Sequence, residues 1–148
     1  MHWISREVKE LAAKYRTTNP FELADCLDYL LIEFPFKKIR GMLLVTDDIT
    51  CIGYNNTLPR HLQYLVVYHE IAHRILHPEI NYFMLLENTH FNLGKFEYQA
   101  DKFVAELVLS ERVPRSGETI YEFAARYEVP VKLVEIFVNN NKILKSTF

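Results

Sequence analysis

The stretch His69-Glu70-Ile71-Ala72-His73 constrains this chain more than any other. Histidines four positions apart share one face of an α-helix, about one turn apart, so both imidazoles can reach one ion. Glu70 points about 100° round that helix, where its carboxylate can reach a water on the ion without joining the ligands. The pattern suits a site with two nitrogen ligands, one general base and a coordination position open to water. The competing reading is a helix whose two histidines are satisfied core residues and whose glutamate is solvated. Leu62, Leu65, Val66, His69, Ala72, His73 and Leu76 share one broad stripe, which puts both rings on the core-facing side. Neutral imidazoles buried there without partners would leave nitrogens unsatisfied, and that favours the metal reading.

A water-activating zinc site takes three protein ligands, and two imidazoles with one carboxylate form a standard set. Glu97, in Phe96-Glu97-Tyr98-Gln99-Ala100-Asp101, can supply the third from a second helix spanning about 95–109. Asp101 sits one turn further on the same face, where it could accept the outer N–H of a ligating ring and fix its tautomer. Ala100 keeps that face thin. The bland alternative is a surface glutamate and a solvated aspartate. His77, one turn beyond His73, either lines the cleft or is a surface histidine favoured by the helix dipole.

Around these helices the chain reads as one α+β domain over 1–148. Ser5 is a candidate cap for a first helix with Val8, Leu11, Ala12 and Tyr15 inward, and Asn19-Pro20 starts a second, completing an N-terminal helical region 1–31. The stretch 32–54 reads as a small, largely antiparallel sheet: a short strand closed by Pro35, then a hairpin turning at Asp47-Asp48. The metal-binding helices fall in 57–110, begun near Pro59 and interrupted at Pro78. Between them Ile80, Tyr82, Phe83, Met84, Leu85 and Leu86 suggest a cleft wall, or a satellite apolar cluster; His90 and Tyr82 could stabilise an oxyanion there. A helical pair over 117–139 looks like a helix-turn-helix, although its second helix has few basic residues and carries Glu135. The tail to Phe148 is expected to fray.

Charge excludes some partners. A net charge of −2 offers no basic stripe, so nucleic acid is not an expected partner. Cys26 and Cys51 lie outside any metal-ligand spacing and read as reduced thiols of a cytoplasmic protein. The first residues lack the apolar core of a signal peptide, and no stretch is long enough to span a bilayer.

Several segments in order resemble the ImmA/IrrE family of metallopeptidases: Thr18-Asn19-Pro20-Phe21-Glu22-Leu23-Ala24, Lys38-Ile39-Arg40-Gly41, the stretch His69 to His77, the stretch Glu97 to Leu107, and Phe123-Ala124-Ala125-Arg126-Tyr127-Glu128-Val129. The resemblance spans nearly the whole chain. It implies His69, His73 and Glu97 as metal ligands, Glu70 as the base, and a zincin-like fold with a small sheet beside the helices. It also implies a substrate class, the helix-turn-helix repressors of prophages and mobile elements. Two departures stand out: Ala72 where glycine is frequent, and Leu109-Ser110 in place of a Leu-Pro-like ending. Neither removes a catalytic group. The expected function is zinc-dependent endopeptidase action on such a repressor, with manganese or iron able to use the same ligands. A non-proteolytic antirepressor that sequesters a transcription factor is the alternative.

Overall fold

Burial anchors the first N-terminal helix and local capping chemistry starts the second. The computed structural model describes residues 2–17, 19–79, 93–141, 144 and 147–148. Helix α1 (His2–Tyr15) buries Ile4 and Val8. Ser5 lies inside its first turn and not at its cap, because Ile4, wholly buried, already anchors the helix one residue earlier. Asn19 caps α2 (Pro20–Cys26): its side-chain oxygen accepts from the backbone N–H of Phe21 (2.9 Å) and Glu22 (3.4 Å), while Pro20 occupies the first helical position.

Three strands follow, β1 (Leu30–Phe34), β2 (Gly41–Thr46) and β3 (Ile49–Asn55), in the spatial order β1-β3-β2. The β2–β3 pair is the expected antiparallel hairpin, with Asp47 taking the left-handed conformation (φ 48°) in its tight turn. β1 runs parallel to β3, so the sheet is mixed. The reason lies in the connection from Phe34 to Gly41, which passes over the end of β3 and leaves the middle place for β3. Asn55 pins that crossing: its side-chain amide donates to the carbonyls of Phe36 (2.9 Å) and Ile39 (3.1 Å), and its backbone N–H donates to Arg40 (2.7 Å).

The inner sheet face turns Leu43 and Ile52, both buried, toward α3 (Arg60–Leu76). Arg74 fastens helix to strand by donating from Nε to Thr50 Oγ1 at 2.9 Å. Helix α4 (Leu93–Leu109) packs against α3, α1 and α6 (Val131–Asn139). Ala72 on α3 and Ala100 on α4 are both fully buried. Short side chains there let two helices approach closely, which makes alanine an adequate stand-in for glycine at residue 72.

Helix α5 (Ile120–Arg126) carries a capping box, in which Thr119 and Glu122 each satisfy the other's backbone N–H. The α5–α6 pair expected from sequence is present, and its apolar stripe is spent on the core: Leu133, Val134, Ile136, Phe137 and Val138 are all buried. Phe148 does not fray. Its ring meets that of Phe123 edge-on at 5.5 Å, because docking the terminal aromatic covers apolar surface that would otherwise face water. Among the described residues no helix is long and apolar enough to cross a membrane.

Candidate metal centre

The site forms where α3 and α4 pack side by side. His69 and His73 stand on the stripe of α3 that faces α4, and Glu97 reaches across from the first half of α4. Glu97 Oε2 lies 2.9 Å from His69 Nε2, and Glu97 Oε1 lies 2.9 Å from His73 Nε2. The two Nε2 atoms are themselves 3.1 Å apart. Bonds of about 2.0–2.1 Å from a tetrahedral zinc put neighbouring donors roughly 3.3 Å apart. The spacing here is close to that, and His69, His73 and Glu97 form a group able to hold a metal ion, with ligand atoms all within 4.8 Å of one another.

The electrostatics agree with the geometry. Burial alone would push the His69 ring toward its neutral form, but hydrogen bonding to Asp101 and Glu97 outweighs it and raises the pKa to about 10. Hydrogen bonds from His69 and His73 hold the Glu97 carboxyl far below the usual carboxylate range. A field that stabilises a proton at this point favours any cation placed between the same donors.

Asp101 Oδ1 lies 3.3 Å from His69 Nδ1, the ring's outer nitrogen, and Lys132 Nζ on α6 sits 3.0 Å from Asp101 Oδ2. Burial would raise the Asp101 pKa, yet its contacts with His69 and Lys132 prevail and lower it. Glu70 is 2% exposed and lines the same cleft as His69 and Glu97, which has a volume of about 510 Å³. The rest of the wall is largely apolar, with Ile39 and Gly41 on the sheet side and Leu62, Leu65 and Leu133 on the helices. Gly41 is required by packing. A Cβ there would lie 2.4 Å from Val66 Cγ1 and 3.0 Å from the Gly53 carbonyl oxygen, so only glycine lets β2 lie this close to α3.

His69, Glu70, Glu97 and Asp101 therefore line one cleft, and His73 meets His69 and Glu97 at its buried side. Neither alternative for His77 holds: it is not among the described residues that line the cleft, and it is not at the surface. It is buried, with its ring against Phe96 and not in solvent. Lys132 and Gln99 were not singled out from sequence. Lys132 belongs to a distant helix, and no local pattern announces it; Gln99, next to Ala100 and two residues from Glu97, carried a weak positional signal. Tyr82 and His90 lie outside the described residues.

Two imidazoles and one carboxylate are a donor set of the kind metal-dependent hydrolases use. The chain belongs to the peptidase family Peptidase_M78, described as the IrrE N-terminal-like domain, whose model matches residues 24–139. Over 138 residues it is 30% identical to the uncharacterized immunity region protein 2 of Bacillus phage phi105, covering 90% of this chain and 87% of that protein. It is 26% identical over 153 aligned positions to the metallopeptidase ImmA of Bacillus subtilis (strain 168), covering 95% of this chain and 89% of the relative. No solved structure matches. This is a metallopeptidase-family protein, and the family implies a metal ion.

Proposed function

We propose that the chain is a zinc-dependent endopeptidase of the cytosol that cuts a helix-turn-helix transcriptional repressor of a prophage or mobile element. The observation that carries this reading is the meeting of His69 Nε2, His73 Nε2 and the Glu97 carboxylate beside buried Glu70 in an apolar cleft. Support for the substrate class comes from the family resemblance and from the phage immunity region in which one relative is found. Zinc suits two imidazoles and one carboxylate with a position left for water.

Bound there, the ion would polarise the scissile carbonyl and lower the pKa of a water toward ~7. Glu70 takes the proton of the attacking water and hands it to the leaving amine. Asp101, held by Lys132, orients the His69 ring by accepting at Nδ1–H. Among the described residues β2 is an edge strand of the sheet, and Ile39 and Arg40 just before it and Gly41 at its start line the cleft. An extended segment of substrate can add to that edge while its side chains enter the apolar wall.

The test is incubation of the zinc-loaded protein with the repressor encoded beside its gene. Discrete fragments that vanish with Glu70→Gln support the peptidase. Relief of repression without fragments, surviving in Glu70→Gln, would replace it with sequestration.

A further inference from the structure

The two candidate ligand rings are held from behind in different ways. His69 presents Nδ1 to a carboxylate, Asp101, at 3.3 Å. Among the described residues the group behind His73 is a second imidazole: its Nδ1 lies 3.1 Å from His77 Nδ1, and His77 Nε2 lies 2.7 Å from Gln99 Oε1. His73 and His77 are both buried, at 4% and 7% exposure, and Phe96 closes one side of the His77 ring with centroids 4.5 Å apart.

Hydrogen-bond polarity makes this chain of contacts directional. A neutral imidazole has one N–H donor and one acceptor nitrogen. For His73 to offer the Nε2 lone pair, its proton must be on Nδ1. Then His77 must accept at Nδ1 and carry its own proton on Nε2, and the group facing that proton must be a pure acceptor. The Gln99 carbonyl oxygen is such an acceptor. Turning the Gln99 amide over would set an NH₂ against His77 Nε2, reverse both bonds and leave His73 with Nε2–H aimed at the ligand point.

We propose that His77 and Gln99 form a neutral relay whose task is to fix the tautomer and aim of His73 for metal binding. The relay deepens the metal reading given above and rests on it. Charge explains why a second aspartate is not used. Glu70, Glu97 and Asp101 already line one cleft, and a fourth carboxylate behind His73 would add a further buried negative charge beside them. An uncharged acceptor chain orients the ring without that cost. His77 and Gln99 are positioning residues and touch no substrate.

The experiment measures zinc affinity by chelator competition and ring protonation by long-range ¹H–¹⁵N NMR of the zinc-loaded protein. His77→Phe keeps an aromatic ring but no acceptor, and is expected to weaken zinc binding about 10–100-fold. Gln99→Leu should also weaken it, and Gln99→Glu, which restores a pure acceptor at the cost of a buried charge, should bind zinc more tightly than Gln99→Leu. In the wild-type spectrum His77 is expected to be protonated at Nε2 and His73 at Nδ1. His77 protonated at Nδ1, or a folded His77→Phe binding zinc as tightly as wild type, overturns the relay alone. Failure of the wild type to bind zinc overturns the metal reading and the relay together. The NMR measurement needs no variant, so a misfolded substitution does not blunt the test.

Discussion

Glu97 and Glu118 are both carboxylates held well below their usual range, and they are held by opposite means. Glu118 takes a two-pronged grip from Arg126, eight residues along, with Nε to Oε2 and Nη2 to Oε1 each at 2.8 Å, plus the backbone N–H of Arg115 at 3.0 Å. Those hydrogen bonds bring its pKa down to about 2. Glu97 draws its partners from 28 and 24 residues upstream, and both are imidazoles. A guanidinium is a permanent cation and closes the account of the α5 corner locally. Imidazoles can surrender their protons, so the cluster between α3 and α4 can exchange a proton for a metal ion. One carboxylate is thus tied to a permanent cation, whereas the other faces two rings that can lose their protons.

The sharpest way to break this contrast is Glu70→Gln. The proposed base should account for roughly 10²–10⁴-fold in turnover of the repressor, with zinc content and melting temperature unchanged. Loss of zinc along with turnover would move Glu70 into the ligand set. Next in size is Asp101→Asn, which should raise the zinc Kd about 10–100-fold in chelator competition while the fold persists. An unchanged Kd would make the Asp101–Lys132 pair merely structural, like its counterpart at Glu118.

Changes at the α5 corner should show the reverse pattern. Thr119→Ala removes the capping box and should cost about 1 kcal/mol in denaturant unfolding, with zinc affinity untouched. The smallest effect is in pH. Because the Glu118 pKa falls from 4.5 unfolded to about 2 folded, its pairing stabilises the protein above pH 4.5 and is lost as pH drops toward 2. Glu118→Gln should flatten that part of the acid-unfolding curve, and an identical slope in variant and wild type would show that the pair contributes nothing.

The comparison also explains what could be read from sequence. The i, i+4 histidines and the Glu97–Asp101 turn are helical regularities, so their shared faces were legible once the helices were recognised. Asn19-Pro20 and the hairpin at Asp47-Asp48 are equally local. The parallel placement of β1 depends on Asn55 gripping a crossover 16–19 residues away, and no local pattern encodes that. His77 shares the stripe of His73, yet its burial depends on Phe96 and Gln99 arriving from another helix. Lys132 reaches Asp101 only because α6 packs on α4. Ser5 resembles a cap chemically, but the burial of Ile4 carries the helix past it.

The most direct test is the zinc content of the purified wild-type chain against Glu97→Ala, with both shown to be folded by circular dichroism. Convergence of two imidazoles and one carboxylate predicts about one zinc per wild-type chain and a large loss on removing the carboxylate. Equal zinc in both, or none in the wild type, would contradict it.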